Sequence, residues 1–260
     1  MHEMNLSIID VALRRGAGST GPPPGPAVTA LADWDPSDLS TLYQDGAMTV
    51  PVTASGDPVG AVADKSGNGF HLTQSESARR PVYRTSGGLH WLEFDGSGQY
   101  LSRASFAVPD TISVGQAFEV LSTPHLNSFS YIFTGSGEKF ARRAQVAGQF
   151  RGTFFNNGLS VASRSASEAP VDWIDGAPHV FADVLDAGAG AVVQRVDGVQ
   201  GWSKSGYTGL SMSDYTLLVG VNDFIAHPIE MKLYGMTVWT NPAETQAAEA
   251  KLAARARMAI

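Results

Sequence analysis

The sequence predicts an all-β protein, a two-sheet antiparallel β-sandwich with a short N-terminal segment ahead of it and one α-helix at its end. Three observations carry this. The chain has 28 glycines and only 17% charged residues in 260, a composition suited to many tight turns because glycine adopts backbone angles other residues avoid. Short β-branched or aromatic runs alternate with turn clusters from Val28 to about Trp239, spaced too closely for helical crossovers, so the strands pair antiparallel. Finally, Asn156-Asn157-Gly158 separates Phe154-Phe155 from Leu159-Ser160-Val161, and Asp197-Gly198 separates Val192–Val196 from Val199. Both are hairpin signals, since Asn-Gly and Asp-Gly accept positive φ.

Taken in order, residues 1–15 place an acid early and Arg14-Arg15 after the apolar stretch, the reverse of a secretory signal, and no cleavage is expected. Leu6, Ile9 and Leu13 recur at helical spacing, with Asn5 or Ser7 as cap, which predicts an amphipathic helix of about two turns. Alone in water such a helix is marginal, so the segment is read as an anchor to another protein, the other readings being that it packs back on its own domain or is disordered. Residues 16–26, rich in Gly and Pro, read as an exposed spacer of partly polyproline-II form. The globular body is then 27–260.

Within the body, strand candidates are Trp91–Phe94, Ala117–Leu121, Tyr131–Phe133, His179–Leu185, Tyr215–Val219 and Lys232–Trp239. With the two hairpins they are too numerous for one small sheet, hence a sandwich. At Asn241-Pro242-Ala243-Glu244 an N-cap, a proline at the first helical position and a first-turn carboxylate start a helix over 242–258. Lys251, Arg255 and Arg257 stand near its end, where the helix dipole favours cations. Its polar, Ala-rich surface predicts a place at the rim.

Composition also excludes functions. With no cysteine there are no disulfides, thiolate zinc sites, iron–sulfur clusters or Cys nucleophiles. A net charge of −7 argues against general affinity for nucleic acid or anionic lipid, and no apolar run is long enough to cross a bilayer. His2, His71, His90, His125, His179 and His227 show no metal-ligand spacing. No Gly-x-Ser-x-Gly elbow anchors a hydrolase triad. Gly135-Ser136-Gly137 and Gly188-Ala189-Gly190 lack the following Lys-Ser/Thr of a phosphate loop. Lys139, Arg142 and Arg143 form a small basic cluster, read as a solvated loop face or a contact with an acidic neighbour.

Four segments resemble a known family: Asp64-Lys65-Ser66-Gly67-Asn68-Gly69-Phe70-His71-Leu72, Leu89–Leu101 with Trp91-Leu92-Glu93-Phe94-Asp95-Gly96 at its centre, Arg195-Val196-Asp197-Gly198-Val199, and Leu218-Val219-Gly220 followed by Lys232–Trp239. In this order they resemble the laminin-G-like, concanavalin A-like jelly roll over about residues 30–260. The version with Trp34-Asp35-Pro36, Leu42-Tyr43-Gln44-Asp45 and Gly56-Asp57-Pro58-Val59-Gly60 is similar to jelly rolls carried on bacteriophage virion proteins. The resemblance implies a virion-surface appendage, anchored to other virion proteins through residues 1–26, that binds a host-surface glycan or receptor. In other members the role is purely structural. A homo-oligomer is natural for an appendage.

Related glucanases carry Glu-x-Asp-x-x-Glu on one strand. Here Glu93-Phe94-Asp95-Gly96-Ser97-Gly98 has glycine at the last position, so the acid pair is incomplete and no enzyme is expected. The resemblance also implies calcium at a sandwich rim, with Asp64, Asn68 and Asp95 as candidate ligands, although the same residues read more simply as turn formers. For glycan binding, an exposed aromatic beside planar polar groups is needed. Trp202, in a Gly- and Ser-rich stretch with Tyr207 close in sequence, is the candidate platform, and Asn156, Asn157, Asn222 and Asp223 are candidate polar partners. Trp202 covering a sheet edge, with the Asn residues making turns, is the other reading. Trp91, Trp173 and Trp239 fall in or beside apolar strand patterns and read as core.

Overall fold

The computed structural model describes residues 27–122, 129–135, 139–146, 149–156, 159–163, 174–209, 214–221 and 225–260. The strands are β1 (Ala30–Trp34), β2 (Leu42–Tyr43), β3 (Ala61–Val62), β4 (Leu72–Thr73), β5 (Val82–Ser86) and β6 (Leu89–Asp95). There follow β7 (Leu101–Ala107), β8 (Ile112–Ser122), β9 (Phe129–Thr134), β10 (Lys139–Val146), β11 (Gln149–Asn156) and β12 (Leu159–Ser163). The last are β13 (His179–Asp186), β14 (Ala191–Val196), β15 (Val199–Ser205), β16 (Asp214–Val219) and β17 (Glu230–Trp239), with α1 spanning Thr245–Arg255. One sheet runs β15-β14-β13-β8-β17-β6-β5, with β1 also paired to β17, and the other runs β12-β11-β10-β9-β16-β7-β4-β3-β2. Every pairing is antiparallel. The chain is therefore an all-β jelly-roll sandwich with one C-terminal helix.

Alternation along the strands builds the core. Phe94, Phe106, Phe118, Tyr131, Phe133 and Phe181 are all essentially inaccessible and belong to one apolar cluster. Phe133 lies edge-on to Phe106 at 5.1 Å and Phe118 lies 4.9 Å from Phe181, separations at which aromatic pairs attract. The interior also holds an ordered polar chain: Tyr131 Oη donates to Asp183 Oδ2 at 2.6 Å, and Gln194 Nε2 donates to Asp183 Oδ1 at 2.8 Å.

Both sequence-marked hairpins form. Asp197 and Gly198 have φ of 49° and 77° between paired Val196 and Val199, the two positive angles that match strand twist in a two-residue turn. Trp202 falls in β15, an edge strand, and not in a connection. Lys139, Arg142 and Arg143 lie in β10 rather than in a loop.

The helix starts as expected. Asn241 Oδ1 accepts from the Ala243 N–H at 3.2 Å, and Pro242–Glu244 form a 3₁₀ turn leading into α1. Its position corrects the rim expectation: α1 lies flat on the outer face of β8, β13 and β17, burying Ala248, Glu249, Leu252 and Ala253. Two glycines make room. A Cβ on Gly115 would stand 2.6 Å from Leu252 Cδ1, and one on Gly235 would stand 2.7 Å from Arg255 Cδ. A short apolar edge of Ala and Leu suffices for burial when the strands beneath carry glycine at these two positions and Ala117, Val180, Ala182, Tyr234 and Trp239 around them.

An ionic clamp fixes the helix. Asp33, 3% exposed, receives Arg255 Nη2 on both oxygens at 2.9 Å, Lys251 Nζ at 2.9 Å and Thr237 Oγ1 at 2.7 Å. Burial opposes ionisation of Asp33, but Arg255 chiefly, with Thr237 and Lys251, outweighs it and holds the carboxyl below its ordinary pKa.

Candidate functional site

Three chain segments that cross from one sheet to the other meet at one end of the sandwich. They are the links β4–β5, β6–β7 and β16–β17. Between them opens a cleft of about 660 Å³, lined by Ala78 and Arg79, by Gly96, Ser97 and Gly98, and by Ile225, Ala226, His227 and Pro228. It is larger than two other clefts on the described residues, each of about 380 Å³.

Each wall is tied to the frame. In the β6–β7 link, Asp95 Oδ1 accepts from Ser97 N–H at 2.8 Å and Ser97 Oγ at 2.6 Å, while the Asp95 N–H donates to Gln99 Oε1 at 3.0 Å. Asp95 is thus a turn former, as its sequence context implies. In the β4–β5 link, Arg79 Nε contacts Glu76 Oε2 at 2.9 Å, and the guanidinium carbon lies 5.8 Å from the centre of the Tyr100 ring. The Tyr100 N–H donates to Arg79 O at 3.0 Å and joins these two walls. In the β16–β17 link, the Ile229 N–H donates to Gly220 O at 3.2 Å. Gly220 has φ 98°, and a Cβ there would sit 2.7 Å from the Phe94 ring, so both conformation and space require glycine.

The third wall is unusual. Ile225 and His227 have φ of 52° and 48°, a region that costs a β-branched residue of order 1–3 kcal/mol and is concentrated at functional sites. This geometry holds Ile225 outward, 43% exposed. The cleft therefore presents an apolar patch, a guanidinium held by its carboxylate and aromatic neighbours, a serine hydroxyl and an imidazole.

The residues marked from sequence distribute differently. Trp202 is half-buried, opposite Gln194, and packs against the main core, so its ring serves the sheet edge. Tyr207 is 4% exposed and its hydroxyl donates to Asp110 O at 2.6 Å. A buried ring offers no stacking face, which corrects its reading as part of a platform. Asn156 ends β11, paired with Leu159, and Asn157, Asn222 and Asp223 lie outside the described residues, as do Leu6, Ile9, Leu13 and Trp173. Trp239 is fully buried, whereas Trp91 is only partly so, packed on the cluster containing Ala256. The residues lining the cleft include no aromatic and form no recognised motif. The available signal was the Gly-Ser-Gly turn after Asp95 together with a Pro-ended link carrying Ile225 and His227.

Asp64, Asn68 and Asp95 are not assembled as a calcium site. Asp64 Oδ1 accepts from the Asp33 and Ser66 N–H groups, and Oδ2 from Ser66 Oγ and the Phe70 N–H, at 2.7–3.0 Å. Donor hydrogens occupy both oxygens. Asn68 Nδ2 donates to Leu31 O at 3.0 Å, and Asp95 belongs to a different turn. Among the described residues no three His, Asp or Glu cluster with metal-binding geometry. Glu93 Oε1 accepts from Arg84 Nε at 3.1 Å, a cross-strand pair.

A smaller cleft of about 380 Å³ is lined by Asp45, Gln74, Arg80 and Tyr100 among others. Its polar groups are already engaged in the frame: Arg80 donates to Gln74 O and Ser75 O, and Gln74 Nε2 donates to Tyr100 O. Hydrogen bonds from Thr49 and Val50 hold the Asp45 carboxyl at about 2.

No protein-family model matches the sequence, and no curated protein sequence matches it. Solved structures do match by fold. Domain 4 of AbnA, an extracellular GH43 arabinanase from Geobacillus stearothermophilus solved with arabinotriose, superposes with a TM-score of 0.59 at 12% identity over 86% of this chain and 98% of its own. The botulinum neurotoxin serotype D ligand-binding domain in complex with N-acetylneuraminic acid gives 0.57 at 9% identity over 86% of this chain and 52% of its own. Another structure of the serotype D binding domain gives 0.55 at 9% over 74% and 49%. The chain thus spans about half the length of the botulinum domains and nearly all of the arabinanase domain. At these identities the likeness is one of fold.

Proposed function

We propose that this protein is a non-enzymatic saccharide-binding jelly roll whose site is the cleft between Arg79, Ser97, Ile225 and His227. The observation that carries the reading is the exposed Ile225 held by strained backbone opposite a positioned guanidinium. A sugar needs an apolar surface for its C–H face and fixed polar groups for its hydroxyls. The fold likeness to domains solved with arabinotriose and N-acetylneuraminic acid supports it. So does the lining of the cleft, which includes no Asp or Glu among its described residues, whereas glycoside hydrolysis needs two carboxyl groups across the scissile bond.

The resemblance of the body to jelly rolls on bacteriophage virions supports a finer reading. The module is displayed at the virion surface, residues 1–15 anchor it through the 16–26 segment, and the body of 27–260 contacts a host-surface glycan or receptor. Weak binding per copy is sufficient there, because many copies on one particle raise avidity through effective concentration. The test uses the full chain, multimerised on beads, against host cells and extracted surface polysaccharide. Saturable retention reduced about tenfold by Arg79→Ala is expected. Absence of saturable binding from the multimerised protein would overturn the reading in favour of a structural decoration.

A further inference from the structure

Arg79 reaches the cleft with part of its guanidinium already engaged. Glu76-Ser77-Ala78-Arg79 ends in a 3₁₀ turn over Ser77–Arg79, in which the Arg79 N–H donates to Glu76 O at 3.0 Å. Side chains three apart eclipse on such a turn, which brings Arg79 Nε to 2.9 Å from Glu76 Oε2. The guanidinium also stands over the Tyr100 ring, its carbon 5.8 Å from the ring centre. Nε and one side of the plane are thus held by the chain itself. Nη1 and Nη2, at the tip, have no hydrogen-bond acceptor among the described residues.

The β6–β7 wall has the opposite polarity. Ser97 Oγ lies 2.6 Å from Asp95 Oδ1, and because a carboxylate only accepts, the serine hydrogen points there and Oγ offers the cleft lone pairs alone. No Asp or Glu is among the described residues of the lining. Behind Arg79, Arg80 donates to two neutral acceptors, Gln74 O and Ser75 O, and pairs with no carboxylate among the described residues. The stretch Gln74–Pro81 therefore carries two guanidinium groups against the single carboxylate of Glu76, an excess of positive charge in a chain of net charge −7. Arginine's planar fork matches a carboxylate through two parallel N–H···O bonds, which are about twice as strong as bonds between neutral groups. A single sugar hydroxyl offers no such pair of oxygens.

We propose that the cleft takes an acidic saccharide, its carboxylate bridged by Arg79 Nη1 and Nη2, a hydroxyl donating to Ser97 Oγ and its C–H face on Ile225. This rests on the saccharide-binding reading of the cleft and adds the class of sugar. A uronic acid and a sialic acid both present the required carboxylate beside ring hydroxyls. Glu76 does not take the ligand's place: its side chain is 62% exposed, and ion pairs in such surroundings attract weakly. It sets the direction of the guanidinium and leaves the tip donors open.

The test measures binding of the multimerised full chain to immobilised alginate, polysialate and extracted host surface polysaccharide. Each is presented in native form and in a carboxyl-reduced form, where the carboxylate has become a primary alcohol, with dextran as a neutral polymer. At least one native polymer should bind about tenfold more tightly than its reduced form, and Arg79→Gln should bind the two forms alike. Alginate against polysialate separates a uronic from a sialic source. Equal binding of native and reduced forms, or a preference for dextran, would overturn the acidic class and leave the saccharide-binding reading standing. An acid preference that survives in folded Arg79→Gln would overturn the assignment to Arg79. Binding to none of the polymers would overturn both readings. The native-against-reduced comparison uses the unaltered chain, so it is decisive whatever Arg79→Gln does to folding.

Discussion

Arg255→Ala tests whether the C-terminal helix is held by buried electrostatics or only by apolar contact. The guanidinium bonds both oxygens of Asp33, reaches the Trp34 carbonyl at 3.2 Å and stands 3.3 Å from Asp35. Asp33 is 3% exposed, so the variant leaves a carboxylate in a site that water does not enter freely. Removing one member of a buried pair costs about 3–5 kcal/mol. The lower end applies because Lys251 and Thr237 remain on Asp33. A loss of about 3 kcal/mol corresponds to a Tm lower by roughly 6–12 °C in a chain of this size.

The assay is urea denaturation of the wild type, Arg255→Ala, Asp33→Asn and the double variant, with a coupling of at least about 1.5 kcal/mol between the two sites expected. Because the folded pKa of Asp33 lies below its unfolded value, the stabilisation is complete above about pH 4 and is lost as the pH falls through the folded pKa. The deficit of Arg255→Ala should therefore narrow in acid. A loss below about 1 kcal/mol with no coupling, the behaviour of exposed ion pairs, would refute the clamp.

Gly115→Ala should cost about 1–3 kcal/mol by overpacking, and adding Leu252→Ala to it should cost less than the sum of the single losses in thermal melts; strict additivity would argue against contact at Leu252 Cδ1. For His179, burial favours the neutral ring, but Asp197 first and Asp175 second outweigh it and raise the pKa above its ordinary value. That stabilisation is full below about pH 6.5 and is lost as pH rises through the folded pKa, so urea midpoints between pH 5 and 9 should fall for the wild type and stay flatter for His179→Gln. Trp202→Ala should lower stability by about 2 kcal/mol, half the usual cost of a fully buried ring, yet leave polysaccharide retention unchanged where the protein is folded.

Sandwich architecture was legible because its signals are local. Alternation along β13 and β17, and positive-φ turn residues such as Asp197-Gly198, are written into a few consecutive residues. The helix start was legible for the same reason, through Asn241 and Pro242. The place of α1 was not, since it depends on Gly115 and Gly235 clearing its path, and a glycine inside a strand pattern does not announce what will lie above it. Trp202 misled because Gly201 and Ser203 resemble a loop, whereas pairing with Gln194 on β14 made an edge strand of them. The cleft was least legible of all: its third wall lies more than a hundred residues in sequence from the other two, and only the convergence of three inter-sheet links brings Arg79 to Ile225.

That convergence bears on how such a site can bind. A loop that must be ordered on contact subtracts the ordering cost from affinity. Here Gln99 and Asp95, Tyr100 and Arg79, and Gly220 and Ile229 each tie a wall to a strand end, so the cost is met when the sandwich folds. The strain at Ile225 and His227 is carried by the same frame, and substitutions on the rim can change the cleft without disturbing the aromatic core or the Asp33 clamp beneath the helix. A shallow site on a rigid rim gives each copy little affinity but loses none of it to rearrangement. Under the proposed role, selection for a new glycan would then act on Arg79, Ser97, Ile225 and His227 while Gly220, whose Cβ the Phe94 ring forbids, stays fixed.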